Sequence, residues 1–216
     1  MRQRPFGDIA GTTFHVVNRA IEGQLLFRDF GAYLAYTRLM ARALDRVPID
    51  MFAFCLMPNH VHFLLRPTGE RDLVAFMQWL TSRHAMGVRR WSGTIGRGAV
   101  YQSRYWASPV QKELYFCRVA RYIERNPVRA SLVDRTHEWL WSSASPVGAV
   151  QGIKRAEWPV PRPSHWRSFV EGVESQSDLD YIRLQTLNRL PIGEAKEVDA
   201  ISAIAEPIRD AATDRK

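Results

Sequence analysis

The sequence predicts an α+β fold: a ferredoxin-like antiparallel sheet with helices packed on one face, plus a C-terminal helical appendage. The first observation is the order of the predicted elements, which is β-α-β-β-α-β-α. The second is a pair of strands separated only by the turn residues Pro58 and Asn59, which indicates an antiparallel hairpin. The third is a change in composition after about residue 148, where several prolines interrupt the chain and two short helical patterns follow.

Each element follows from a local pattern. Apolar residues recur at helical spacing in the helices, and β-branched and aromatic residues mark the strands. Pro127 ends the third helix, and Pro109 places the last strand at an edge of the sheet because proline cannot donate to a neighbouring strand. The predicted strands are 13–18, 49–57, 60–66 and 105–110, and the predicted helices are 31–46, 71–91, 113–126, 166–173 and 179–190.

Length and composition narrow the class of protein. The chain has 216 residues, of which 46% are hydrophobic, so it can bury a core and is not wholly disordered. We expect one domain over 9–148, followed by a linker and C-terminal appendage over 149–216. No stretch approaches the roughly 20 apolar residues of a membrane helix, and the N-terminus lacks a signal-peptide pattern. We therefore expect a cytoplasmic protein whose two cysteines are reduced.

The positive charge is concentrated in the middle of the chain. The formal net charge is +8, and residues 83–135 hold eleven basic residues against three acidic ones. Ten of the eleven are arginines, and tryptophans and tyrosines lie between them. Arginines bind phosphates and aromatic rings stack on unpaired bases, so this composition favours a nucleic-acid-binding surface. A solvated basic face is the alternative.

A histidine pair gives the sharpest chemical signal. Side chains alternate along a strand, so His60 and His62 should project from one face, while Val61 and Phe63 project from the other. Two imidazoles on one face can share a metal ion. An ordinary pair on a half-exposed strand is the alternative, although the fully apolar opposite face favours a ligand role. We interpret His15 and His84 as structural or surface residues.

A tyrosine on the third helix gives the second signal. Tyr122 and Asn126 are four residues apart and share a helix face, with Arg118 one turn earlier. A phenol beside a guanidinium and a metal ligand could attack a phosphodiester, with the cations stabilising the charge that develops. The alternative is a half-buried tyrosine whose hydroxyl is hydrogen-bonded.

The two signals together resemble a known family. Pro58-Asn59-His60-Val61-His62 resembles the HUH motif (histidine, hydrophobic residue, histidine) of single-tyrosine nucleases and transposases. Residues 121–133 are similar to a signature of the REP-associated tyrosine transposases, which are relatives of the insertion-sequence 200-like transposases. Three supporting segments occur in the family's order, at 15–19, 98–105 and 139–143. The resemblance covers roughly residues 9–148.

The sequence departs from the family pattern at two places. Tyr101 and Tyr105 stand where the family usually has tryptophan and phenylalanine, and this change keeps both positions aromatic. Ser131 stands where glycine is usual, so we expect the turn after the third helix to be altered.

The resemblance implies the fold of an HUH nuclease and a set of residue roles. His60, His62 and Asn126 would bind a divalent metal, Mg²⁺ or Mn²⁺, and Tyr122 would be the catalytic nucleophile. The enzyme would cut and rejoin single-stranded DNA beside palindromic hairpin repeats through a 5′-phosphotyrosine intermediate. The DNA-binding side chains would be Arg83, Arg89, Arg90, Arg97, Arg104, Arg118, Arg121, Arg125, Arg129, Tyr101, Tyr105 and Trp106.

The implied partner is single-stranded or hairpin DNA, bound by a monomer or a homodimer without any membrane. The implied location is the cytoplasm, in association with the nucleoid. A protein of another class remains an alternative: a non-catalytic DNA-binding regulator of repeated palindromic sequences. Such a regulator would need the basic segment but would not need Tyr122.

Overall fold

Every predicted helix and strand is present. A computed structural model describes residues 9–21, 24–93, 98–146 and 152–193. The elements in chain order are β1 (Thr13–Arg19), α1 (Phe30–Arg46), β2 (Ile49–Met57), β3 (His60–Pro67), α2 (Asp72–Trp91), β4 (Trp106–Val110), α3 (Lys112–Glu124), α4 (Asn126–Arg129), a 3₁₀ turn (Thr136–Glu138), α5 (Trp166–Glu171) and α6 (Gln176–Asn188).

The sheet has four strands in the order β2-β3-β1-β4, and all neighbouring strands are antiparallel. This order confirms the α+β class and the ferredoxin-like connection, in which β1 lies between β3 and β4. β4 is an edge strand, as Pro109 predicted. The short turn at Pro58 and Asn59 joins β2 to β3 as a hairpin.

One face of the sheet is covered by α1 and α2. Val61, Phe63 and Leu65 of β3 and Phe54 and Leu56 of β2 point into this core, together with side chains of both helices. Each helix packs an apolar stripe against the sheet and exposes its opposite face to solvent, as the spacing of its apolar residues predicts.

The other face is also buried, and this corrects the prediction that the helices lie on one face. Only α1 and α2 cover the first face, whereas α3, α5 and α6 form a second core against the opposite face. Ala53, Cys55 and Met57 of β2 point into this second core. The uninterrupted apolar run of β2 is typical of a strand that is buried on both faces, which explains why it does not alternate.

The third helix is shorter than predicted. It ends at Glu124, and α4 begins at Asn126 with Pro127 in its first turn. The proline ring excludes a continuous helix through this point because it clashes with the preceding turn and lacks an N–H donor. After α4 the chain turns at Ser131, whose φ of 53° lies in the left-handed region that normally favours glycine.

The described part of the C-terminal segment packs closely against the rest of the chain. Trp166, Val170, Leu179 and Ile182 lie in the second core beside α3. Ile192 bonds to the free edge of β4, since its N–H donates to the carbonyl of Pro109 at 2.7 Å. Within the described ranges, no helix is both long and apolar enough to cross a membrane.

Candidate active site

The strand pairing places three histidines on one face of the sheet. β1 runs antiparallel to β3, and its Val17 and Arg19 lie opposite His62 and His60. Paired residues project to the same side, so His15, two residues before Val17, joins the same face. The alternating side chains of β3 lie in the core on the other face. The predicted shared face of His60 and His62 is therefore confirmed.

The two histidines of β3 are close enough to act together. Their ring centroids are 4.9 Å apart, with the planes at 79°. His60 Nδ1 lies 2.7 Å from the side-chain oxygen of Asn59. That oxygen can only accept a hydrogen bond, so Nδ1 of His60 carries the proton and its Nε2 holds a lone pair.

Burial keeps both imidazoles neutral. Burial and the nearby Arg19 guanidinium lower the pKa of His60 to about 4. Burial lowers the pKa of His62 well below its usual value, and the neighbouring His60, His15 and Arg129 lower it further. Both side chains therefore have an unprotonated nitrogen at neutral pH, which a metal ligand requires.

Tyr122 reaches this pair from the third helix. Its ring meets those of His62 and His15 edge-on, with centroid distances of 5.9 and 5.8 Å. The guanidinium carbon of Arg129 lies 4.2 Å from the centroid of the Tyr122 ring. The fold thus brings a phenol, a fixed cation and two neutral imidazoles together from segments far apart in the sequence. This set can stabilise negative charge on a phenolate or a phosphate.

Asn126, the first residue of α4, is fixed by hydrogen bonds to the end of α3. Its side-chain nitrogen donates to the backbone carbonyl oxygens of Tyr122 at 3.0 Å and Ile123 at 3.4 Å. The amide nitrogen is therefore committed to the end of α3, and only the side-chain oxygen is left to act as a ligand.

Within the described ranges, no group of three or more histidine, cysteine, aspartate or glutamate side chains is arranged to hold a metal. If His60 and His62 were ligands, they would offer two nitrogen atoms, and a bound ion would take its remaining ligands from oxygen atoms. This donor set suits Mn²⁺ better than Mg²⁺, since Mg²⁺ prefers oxygen ligands throughout.

Four of the arginines that the resemblance assigns to DNA bind the C-terminal segment instead of facing open solvent. Glu174, in the loop before α6, is central to this contact because its carboxylate accepts from both Arg125 at 2.9 Å and Arg129 at 2.7 Å. The hydrogen bonds are those of Arg118 with Asp178, Arg121 with the carbonyls of Gly172 and Val173, Arg125 with Glu174 and the carbonyl of Val170, and Arg129 with Glu174.

The other predicted DNA-binding side chains lie in three different settings. Tyr101 and Tyr105 pack in or against the core beneath α1 and α2, where the Tyr101 hydroxyl bonds to Nδ1 of His84 at 2.7 Å. Stacking on a base would require these two rings to leave that core. Arg89 donates to the carbonyl of Gly98, Trp106 is half-buried, and Arg97 lies outside the described residues. The exposed members of the set are Arg83, Arg90 and Arg104.

His15 was interpreted as structural or surface, and the structure places it at the centre of the site. It is fully buried, and its Nε2 lies 3.0 Å from Nδ1 of His62. The predicted topology could have indicated this position for His15, since a ferredoxin-like order places β1, which carries His15, beside β3. The interpretation of His84 as structural is confirmed, because it is buried between α1 and α2 against the ring of Tyr36.

The chain is similar in sequence to known transposases. A family profile described as "Transposase IS200 like" matches residues 9–126. A Haemophilus influenzae protein described as "Putative REP-associated tyrosine transposase" is 20% identical over an alignment of 107 residues, which covers 46% of this chain. The match spans 61% of that relative's length.

A solved structure has a similar fold. It is described as a REP-associated tyrosine transposase bound to a REP hairpin, and it superposes with a TM-score of 0.53 at 18% sequence identity. The match covers 73% of this chain and 99% of the solved one. The resemblance that the HUH motif and the helix signature indicated is confirmed by these findings, and the chain belongs to the family of IS200-like transposases.

Proposed function

We propose that this protein is a metal-dependent strand transferase that cuts and rejoins single-stranded DNA next to palindromic hairpin repeats. The observation that carries the proposal is the contact between the Tyr122 ring and the ring of His62. Around the Tyr122 ring the fold gathers the imidazoles of His62 and His15 and the guanidinium of Arg129. Family membership as an IS200-like transposase supports the same chemistry.

The two histidines of β3 and Asn126 would hold the metal ion. Nε2 of His60 and Nε2 of His62 would each donate a lone pair, and the side-chain oxygen of Asn126 would add a hard ligand. When bound, Mg²⁺ or Mn²⁺ supplies the positive charge that polarises a scissile phosphate. Burial keeps both imidazoles unprotonated, so they need no deprotonation before they bind.

Tyr122 would act as the nucleophile. Its hydroxyl oxygen forms a bond to phosphorus while the bond from phosphorus to the 3′-oxygen breaks. The phenol loses one proton and the departing 3′-oxygen gains one, which leaves a 5′-phosphotyrosine and a free 3′-hydroxyl. The guanidinium of Arg129 lies over the ring and adds positive charge beside the nucleophile. The reverse reaction rejoins DNA without external energy because the number of phosphodiester bonds is conserved.

The proposed substrate is hairpin DNA with a single-stranded flank. The solved structure with a similar fold is bound to a REP hairpin. In this chain the side chains of Arg83, Arg90 and Arg104 are exposed and could bind backbone phosphates. A substrate of this kind places the protein in the cytoplasm, at the nucleoid.

The replacement Tyr122→Phe tests the proposal, and Tyr115→Phe is the matched control on the same helix. Each variant is incubated with an end-labelled hairpin carrying a single-stranded flank and Mn²⁺, and covalent adducts are separated on a denaturing gel. We expect the adduct to disappear in Tyr122→Phe and to persist in Tyr115→Phe, while both variants bind the hairpin like the wild type. An adduct that survives in Tyr122→Phe would refute the assignment, and hairpin binding with no adduct in the wild type would favour a non-catalytic regulator.

A further inference from the structure

A threonine of the C-terminal helix is connected to the candidate metal ligands through one buried histidine. The hydroxyl of Thr186, on α6, donates to the carbonyl of Ile182 one turn earlier, at 2.7 Å. The same oxygen lies 3.1 Å from Nδ1 of His15. A threonine hydroxyl has a single proton. Since that proton is directed at Ile182, the oxygen accepts from His15, and Nδ1 of His15 must carry a proton.

The direction of this hydrogen bond determines the next one. With its proton on Nδ1, neutral His15 has a lone pair on Nε2, which lies 3.0 Å from Nδ1 of His62. Nε2 of His15 therefore accepts, and Nδ1 of His62 donates. The two rings stack with centroids 5.2 Å apart and planes at 13°. His62 is left with its proton on Nδ1 and its lone pair on Nε2.

We propose that Thr186 and His15 are positioning residues that fix the tautomer of His62, so that its Nε2 is available to the divalent metal. The identity of the metal as the ligand of His62 rests on the proposed function. The hydrogen bonds from Thr186 through His15 to His62 do not depend on that proposal. Hydrogen-bonded partners of metal-bound histidines commonly set ring orientation and tautomer in this way.

The opposite direction of the chain would block the metal. If His15 carried its proton on Nε2, it would donate to Nδ1 of His62, and His62 would then hold its own proton on Nε2. The Thr186 hydroxyl excludes this arrangement only while it remains bonded to the Ile182 carbonyl. His15 is fully buried, so no water replaces the lost acceptor without cost.

The C-terminal segment is attached to the sheet by several hydrogen bonds, which keep Thr186 in place beside His15. The backbone carbonyl of Gln185, next to Thr186, accepts from the hydroxyl of Ser108 on β4 at 3.4 Å. Ile192 bonds to the end of β4 and to the residue that follows it, donating to the carbonyl of Pro109 at 2.7 Å and accepting from the N–H of Gln111 at 2.9 Å. These bonds attach the region of α6 that carries Thr186 to the edge of the same sheet that carries His15. The C-terminal helix is therefore part of the candidate site.

The replacement Thr186→Val tests the inference, because valine keeps the shape of threonine and removes its hydroxyl. Thr186→Ser, which keeps the hydroxyl, is the matched control, and Thr186→Ala is a second variant without a hydroxyl. The first readout is the tautomer of each histidine in the metal-free protein at pH 7.5, measured from ring nitrogen chemical shifts in a long-range proton–nitrogen correlation spectrum. The second is Mn²⁺ affinity, measured by titration calorimetry.

We expect the wild type and Thr186→Ser to show protons on Nδ1 of both His15 and His62. In Thr186→Val and Thr186→Ala, protons should shift toward Nε2, and Mn²⁺ affinity should weaken about 10- to 100-fold. Unchanged tautomers and unchanged affinity in both variants would overturn the inference. His60→Ala separates the two proposals: if it binds Mn²⁺ as tightly as the wild type, the metal site is wrong, while the tautomers still test the chain from Thr186.

Discussion

A buried neutral histidine lies on each side of the sheet, and the two histidines differ in what surrounds them. His84, on α2 and facing α1, bonds to the hydroxyl of Tyr101 and packs against the rings of Tyr36 and Phe27. His62, beneath α3, bonds to His15 and lies beside His60 and Tyr122. Burial lowers the pKa of both imidazoles. A low pKa therefore does not identify a site, and the proximity of a second ligand and a nucleophile does.

The faces also differ in which part of the chain closes them. The first is covered by helices that lie between neighbouring strands in the sequence, so local connections build it. The second is closed by α3 together with the C-terminal segment, whose Glu174 binds Arg125 and Arg129. Polar groups are buried on this face because distant segments supply their partners. The site thus depends on contacts with residues from the C-terminal part of the sequence.

The largest expected effect comes from removing the histidine pair. We expect His60→Ala combined with His62→Ala to reduce formation of the covalent DNA adduct at least about 10³-fold, because the phosphate loses its bound cation. The measurement is the rate of adduct formation with Mn²⁺ on a hairpin substrate. Hairpin binding should remain close to that of the wild type because phosphate contacts dominate affinity.

His84→Gln is the matched control on the other face. Adduct formation by this variant should stay within a few-fold of the wild type, since His84 touches no part of the candidate site. An equal loss of activity in both proteins would remove the functional distinction between the two faces.

A smaller effect is expected in the pH dependence of stability. Burial lowers the pKa of His84 from 6.5 to about 4. As the pH falls below 6.5, the unfolded chain takes up a proton at this histidine before the folded chain does, so unfolding becomes more favourable. Between pH 7.5 and 4.5 the wild type should lose about 2–3 kcal/mol more free energy of unfolding than His84→Gln.

Urea denaturation of both proteins at the two pH values measures this difference. The other buried histidines contribute equally to the two proteins, so their contribution cancels. If the difference in free energy of unfolding between the wild type and His84→Gln does not change with pH, His84 is not a buried neutral histidine like His62.

The smallest expected effect concerns the turn that closes the functional face. Ser131 has a φ of 53°, which is costly for a residue with a Cβ. Ser131→Gly should raise the free energy of unfolding by up to about 1 kcal/mol, after the greater chain entropy of glycine is taken into account. Ala130→Gly is the control: its φ of −88° is ordinary, so it should lose about 0.5–1 kcal/mol. A loss in both variants would show that the left-handed turn stores no strain.

Much of the fold could be predicted from local patterns. The strand and helix bounds followed from apolar spacing, and Pro109 and Pro127 marked an edge strand and a helix end. The alternation of β3 predicted the shared face of His60 and His62, and the helix signature singled out Tyr122. The second covered face was missed, although the unbroken apolar run of β2 contained the signal for it.

The sequence alone determined the elements, their order and the residue types that suit cleavage of a phosphodiester, because these depend on periodicity and on chemistry within short segments. Only the tertiary structure decided that His15 joins the histidine pair, that Thr186 directs its hydrogen bonds, and that Glu174 binds Arg125 and Arg129. These contacts join residues at least 45 positions apart in the chain. No local pattern encodes such pairs, since they depend on which faces the packed sheet and helices bring together.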